Sequence, residues 1–179
     1  MKKFQSSDFT CLKELIGKTV SDIFYQPVAD ILAYVDMFVV NFGCKAEISF
    51  HIFSFFRIVD KNSILLTTSD CFFDKNFERL TSEQECNERN NLYKGTLLYS
   101  NIERVKSILK DAKVINAYSN DIGDVFVEFD NSIVMEIMID ALCNQECYRL
   151  ITYNKKSSQH NIVKCKNGQI FYDIFSDSD

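Results

Sequence analysis

The clearest hydrophobic pattern in the chain lies between Gly123 and Leu150. Two runs there alternate apolar residues with others, and the acidic residues fall on one side of the alternation. A period of two is typical of strands that bury one face. Asp130-Asn131-Ser132 separates the runs with residues that tolerate tight turns. The pattern predicts a β-hairpin followed by a strand that contains Tyr148-Arg149-Leu150. The apolar positions are Val125, Val127, Phe129, Ile133, Met135, Ile137 and Ile139.

A weaker copy of this pattern occurs about ninety residues earlier. We therefore predict two related halves, about residues 14–70 and 113–168, that arose by internal duplication. The expected fold class is α+β, mainly antiparallel β-sheet with about two helices, in one domain of residues 1–179. The matching segments are 30–35 with 124–129, 48–53 with 134–139, 56–58 with 148–150, and 64–68 with 161–165.

Two helices are predicted outside the strands. Residues 7–16 place apolar side chains on one face, and Gly17 is positioned to end that helix. The second helix is expected to begin at Ser100, because Ser100 and Glu103 have the spacing of a capping box. The polar residues 74–96 predict a surface loop with some helical turn.

Three local signals mark interruptions of the strands. Gln26-Pro27 is expected to break the first strand, because proline cannot donate to a β-ladder. Asn167-Gly168 is a strong signal for a hairpin turn. The acidic tail 176–179 is expected to fray.

Composition limits the classes of function. A net charge of −5 and a pI near 5.1 argue against nucleic-acid binding, which needs a basic face. The apolar stretches 35–43 and 48–56 carry polar residues and are too short to span a membrane. The chain has seven cysteines and no CxxC pair, and we expect a reducing, cytoplasmic setting.

Arg57 and Arg149 each lie within an apolar strand pattern, where a guanidinium needs a partner. The candidate partners are Asp30, Asp124 and Glu146. In one interpretation each arginine clamps two strands through a carboxylate. In the other, the arginines belong to a site for an anion or a substrate.

The chain shows no catalytic signature. It lacks nucleotide-binding, zinc-protease and serine-hydrolase motifs, and its five glycines offer no phosphate-binding loop. His51 and His160 are the only histidines; His51 lies in an apolar strand without a companion acid at a catalytic spacing, and His160 opens a strand after a polar loop. Cys143 and Cys147 with His160 would make at most a three-ligand metal site. We therefore expect no enzyme activity, no cofactor and no metal.

The order of several short motifs resembles that of a group of small bacterial proteins. His51, Phe56-Arg57-Ile58 and the following ILLTTSD are similar to an LHxxxxWRI…SxD pattern, and the second half, GDVFVEF…IVMEI…ECYRL…HNIV, resembles the same group. The resemblance covers roughly residues 14–70 and 113–168. Phe56 and Tyr148 stand where such proteins usually carry tryptophan.

Similar small acidic proteins are immunity partners of bacterial toxins. The resemblance implies a cytoplasmic α+β protein that works by binding another protein, a basic toxin domain whose active site it covers. An acidic rim would attract such a partner. The alternative is a small-molecule sensor or enzyme with a cleft between the halves, lined by Arg57, Arg149, His51 or His160. The candidates for the rim are Glu83, Glu85, Glu88, Asp177 and Asp179.

Overall fold

The computed structural model describes residues 2–3, 10–29, 34–139, 145–154, 157–166 and 169–176. These residues form two antiparallel β-sheets, two α-helices and two 3-10 helices. The helices are 3-10 helix Thr10–Leu15, 3-10 helix Thr68–Phe72, α1 Ser82–Asn90 and α2 Leu97–Leu109. The strands are β1 Lys2–Lys3, β2 Val20–Ala29, β3 Tyr34–Phe42, β4 Ile48–Ile52, β5 Phe55–Val59, β6 Ile64–Thr67, β7 Val114–Ser119, β8 Val125–Phe129, β9 Val134–Met138, β10 Gln145–Asn154, β11 Ser157–Lys166 and β12 Gln169–Ser176. The α+β class and the mainly antiparallel sheet are as predicted.

The chain divides its strands between the sheets in a regular way. The larger sheet has seven strands in the order β1-β12-β11-β10-β4-β3-β2, and the smaller has five in the order β6-β5-β9-β8-β7. The first half gives β2, β3 and β4 to the seven-stranded sheet and then β5 and β6 to the other. The second half gives β7, β8 and β9 to the five-stranded sheet and then β10 and β11 to the other. Strands β1 and β12 lie outside both halves and extend the seven-stranded sheet. The two halves therefore repeat one strand order with the sheets exchanged.

Finer features follow the same relation. β2 carries a bulge between Val20 and Asp22, and β7 carries one between Val114 and Asn116. Val20 and Val114 occupy equivalent positions in the two halves. Val20 pairs with Phe42, the last residue of β3, and Val114 pairs with Phe129, the last residue of β8. An antiparallel bridge joins the residues just before them, Thr19 and Lys113. Duplication as the origin of this arrangement stays a prediction.

The register corrects the residue matches expected from the sequence. Phe38 pairs with Ile52 in the first half as Val125 pairs with Ile137 in the second, so Phe38 is the counterpart of Val125. The sequence comparison instead matches residues 30–35 with residues 124–129, which include β8. Residues 30–33 lie outside the described ranges. The match of 48–53 with 134–139 is off by one residue, since it set Ile52 against Met138.

Two local predictions were also wrong. Helix α2 begins three residues before Ser100, after Thr96 as the N-cap, and the Ser100 hydroxyl lies 3.5 Å from the Thr96 carbonyl oxygen. The capping box lies instead at the start of α1, where Thr81 and Gln84 each accept a hydrogen bond from the backbone of the other. Pro27 does not break β2, because β2 is an edge strand, where proline is tolerated.

Two other local predictions agree with the structure, and a third is not tested by it. The helix expected at 7–16 is a 3-10 helix over its described part, and Gly17 follows it with a φ of +82°. The turn at Asn167-Gly168 lies outside the described residues, although the flanking Lys166 and Gln169 pair across antiparallel strands. The polar region 74–96 contains α1.

One hydrophobic core lies between the inner faces of the sheets. In the predicted hairpin β8–β9, Val125, Val127 and Phe129 are buried, as are Met135 and Ile137. Helix α2 adds an apolar face and packs against β2, β6 and the second 3-10 helix. The α2 side chains in the core are Leu98, Ile102, Val105 and Leu109.

Candidate functional site

A row of side chains crosses the outer face of the five-stranded sheet. Its members are opposite one another in successive strand pairs, and most are half-buried or exposed, unlike their inward-facing neighbours. From β7 to β6 the row consists of Tyr118, Phe126, Glu136, Arg57 and Thr67.

An equivalent row crosses the outer face of the seven-stranded sheet. From β2 to β11 it consists of Phe24, Val39, His51, Arg149 and Ile162. The two rows correspond position by position when β2 to β6 of the first half are matched in order with β7 to β11 of the second. The two arginines, which were predicted to be equivalent, therefore occupy equivalent places. The difference in chemistry lies beside them, where Glu136 in one row is replaced by His51 in the other.

Arg57 is joined to its neighbour in the row. Its Nε donates to Oε2 of Glu136 at 2.5 Å, across the β5–β9 pair. The side chain of Arg57 is 34% exposed and that of Glu136 is 15% exposed. This contact has the geometry of a strand clamp, but the expected partners Asp30, Asp124 and Glu146 were wrong for this arginine.

Arg149 finds an acid differently. Its Nε and Nη2 donate to the two carboxylate oxygens of Glu146 at 2.9 and 3.0 Å, which is a bidentate pair. Glu146 was an expected partner, but it lies on the same strand, on the other side of a bulge. The pair therefore does not connect two strands. His51, the cross-strand neighbour of Arg149, offers no carboxylate.

The other expected acids have separate positions. The Asp124 carboxylate accepts hydrogen bonds from the Ile139 N–H at 2.8 Å and from Asn120 Nδ2 at 2.9 Å, and so holds the turn before β8. Asp30 lies outside the described residues.

Among the described side chains of the proposed cleft, Arg57 does not share a site with His51 and Arg149. Arg57 lies on the five-stranded sheet, whereas His51 and Arg149 lie on the seven-stranded one. The backbone of His160 pairs with Ile151, and its side chain is not among those described. His51 lines a hollow of about 370 Å³ on the outer face of its sheet, without Arg57 or Arg149 in the wall. Other residues that line it are Phe24, Asn41, Ser49 and Tyr153.

The outer face of the five-stranded sheet combines aromatic, apolar and charged groups. The rings of Tyr118 and Phe126 stack with centroids 5.1 Å apart and planes at 17°, and Tyr118 is 42% exposed. Burial raises the pKa of the Tyr118 hydroxyl, and the nearby carboxylates of Glu128 and Glu136 raise it further. Glu136 is paired with Arg57, so Glu128 leaves one net negative charge among these three side chains. Half-buried apolar neighbours on the same face are Phe55, Val59, Val134 and Met138.

The acids expected to form a rim have mixed positions. Glu83 is exposed in the first turn of α1, and Glu85 is half-buried there. Glu88 accepts a hydrogen bond from the Gly95 N–H at 2.7 Å and so holds the chain after α1. Asp177 and Asp179 lie outside the described ranges.

Metal ligands and thiols are the remaining candidates for chemistry in the described part of the chain. No group of three or more potential ligands, counting His, Cys, Asp and Glu, comes together there. Cys147 is buried, and Cys143 lies outside the described ranges. Burial raises the pKa of the Cys11 thiol to about 11, and the carboxylate of Glu14 adds to the shift. Among the described residues no helix is long and apolar enough to cross a membrane.

Sequence reasoning missed Glu136 as the partner of Arg57 and missed the stacked pair Tyr118 and Phe126. The available signal was the alternation itself, which put Phe126 and Glu136 on the side opposite the core residues. No family model, no curated protein and no solved structure matches the chain, so family membership stays a prediction from the short motifs.

Proposed function

We propose that the protein is a non-enzymatic binding module whose outer five-stranded face docks a basic protein domain. The observation that carries this proposal is the row Tyr118, Phe126, Glu136 and Arg57 on that face. Tyrosine, phenylalanine and arginine are enriched where protein interfaces concentrate their binding energy. The sheet holds these side chains in fixed positions, so little conformational entropy is lost on binding.

The charge of the face supports a basic partner. Glu128 and Glu136 lie beside a single arginine, and the whole chain carries −5. Complementary charge raises the rate of association and suppresses wrong partners. The resemblance to immunity proteins adds the class of partner, a bacterial toxin domain whose active site would be covered. A cleft enzyme has less support, because Arg57 is on a different sheet from His51 and Arg149.

The test is binding and rescue with the toxin-like domain of a secreted protein encoded beside this chain. We expect co-purification, and growth of cells that produce the domain only when this protein is present. Tyr118→Ala should weaken binding about 10- to 30-fold, as loss of an aromatic hot spot does.

Tyr99→Ala is the matched control, because Tyr99 is 41% exposed but lies on α2. The control should bind with unchanged affinity. Equal losses in the two variants, or full binding by Tyr118→Ala, would rule out this face as the docking surface. Absence of any complex with the adjacent domain would count against the choice of partner.

A further inference from the structure

A cavity lies where the chain leaves the seven-stranded sheet for the five-stranded one. It has a volume of about 210 Å³ and opens beside the short connection between β4 and β5. Phe72 at its edge is 41% exposed, whereas Phe38 is 4% exposed. Five aromatic rings contribute to the wall, those of Tyr25, Phe38, Phe53, Phe55 and Phe72.

One part of the wall carries hydroxyl groups. Ser54, Thr68 and Ser69 line it, the last two from the second 3-10 helix. Ser54 is 7% exposed, and its buried hydroxyl oxygen has no hydrogen-bond partner in the described structure. Buried polar groups are normally paired, so this unpaired hydroxyl needs an explanation. That oxygen has almost no accessible surface in the structure, so a polar atom of a ligand would become its missing partner only after the Ser54 side chain turns toward the cavity.

We propose that this cavity binds one aromatic ring of the size of phenol, with its polar substituent toward Ser54. A cavity of roughly 150 Å³ is enough to hold benzene, so the space here admits a ring with one substituent. Aromatic walls favour offset and edge-to-face contacts with a bound ring. The hydroxyl distinguishes a phenol from a purely apolar ring of the same shape.

The ring comes from a tyrosine side chain of the protein partner, and this choice of source alone rests on the proposed function. Phe55 lines the cavity and also pairs with Met138 at the edge of the outer five-stranded face. A domain that covers this face therefore reaches the mouth of the cavity, and a protruding tyrosine can enter it.

The test uses the full chain labelled with ¹⁵N and two probes, p-cresol and toluene. We expect saturable binding of p-cresol with amide shifts near Ser54 and Thr68, and affinity about tenfold tighter than that of toluene, the ratio given by one added hydrogen bond. In Ser54→Ala the two probes should bind equally. Ser119→Ala is the control, because Ser119 also has a buried, unpaired hydroxyl but does not line the cavity.

Absence of saturable p-cresol binding, or equal affinity for both probes in the unaltered protein, would overturn the site. Equal loss of discrimination in Ser54→Ala and Ser119→Ala would overturn the role of Ser54. These results concern the protein alone, so they leave the docking proposal standing. Displacement of p-cresol by the partner domain supports the tyrosine as the source, and retention of p-cresol in the complex would overturn that source.

Discussion

The two arginine pairs should contribute differently to stability, although they occupy equivalent places. Arg57 and Glu136 connect two strands from different halves of the chain, 79 residues apart. Arg149 and Glu146 lie three residues apart on one strand. The test replaces each arginine by methionine and each glutamate by glutamine. Within each pair the two substitutions are made singly and in combination.

The expected magnitudes follow from the partly buried state of both pairs, and the difference between the pairs follows from position alone, because their exposures are similar. Exposed ion pairs contribute about 0.2–1 kcal/mol, and breaking a fully buried pair costs about 3–5 kcal/mol. Arg57 is about one-third exposed and Glu136 much less, so we expect Arg57→Met to cost about 1.5–2 kcal/mol. The coupling energy of Arg57 with Glu136 should be about 1 kcal/mol. For Arg149 with Glu146 it should be about 0.3–0.5 kcal/mol, because their contact is local and orders no second strand.

The assay is urea unfolding followed by circular dichroism, because the chain has no tryptophan. Each double-mutant cycle gives one coupling energy, and a loss of 1 kcal/mol should lower Tm by about 2–4 °C at this size. Adding salt should reduce both couplings, since both pairs are partly exposed. A coupling for Arg149 with Glu146 equal to or above that of Arg57 with Glu136 would refute the distinction between a clamp and a local pair.

Two further predictions concern buried groups. Tyr148→Phe should lower the free energy of unfolding by about 1–2 kcal/mol. The buried Tyr148 hydroxyl donates to the Gly123 carbonyl at 2.8 Å, and that carbonyl would lose this partner. Chemical denaturation measures the change, and an unchanged midpoint would contradict the prediction. Native labelling with a thiol reagent at pH 8, read by peptide mass spectrometry, should modify the exposed Cys44 and Cys86 well before the half-buried Cys11. The pKa of Cys11 is raised from 9.0 to about 11, which leaves about 100-fold less thiolate at pH 8 than the unshifted value would give. Equal rates of modification would contradict the partial burial of Cys11.

The strands were predictable because their information is local. Alternation at Val125, Val127 and Phe129 records which face of β8 meets the core, whichever sheet the strand joins. The assignment of strands to sheets was not predictable, since the inner faces of both sheets are apolar. The switch after β4 uses only Phe53 and Ser54, and neither residue marks a change of sheet.

The predictions of side-chain partners and of helix ends were wrong for related physical reasons. Arg57 meets Glu136 only through the register of two distant strands, which no local pattern encodes. Helix α2 begins before Ser100 because Leu98 is buried in the core, and that packing outweighs a suitable capping sequence. Pro27 is tolerated because β2 lies at the sheet edge, which is a property of the whole fold.

The most direct test of the proposed docking face is amide chemical-shift mapping of the labelled protein on addition of the proposed basic partner domain. If the partner docks on the outer face of the five-stranded sheet, the largest chemical-shift changes should occur on that face, at Tyr118, Phe126, Glu128 and Glu136. Chemical-shift changes confined to the seven-stranded sheet, around His51 and the hollow beside it, would contradict docking on the five-stranded sheet.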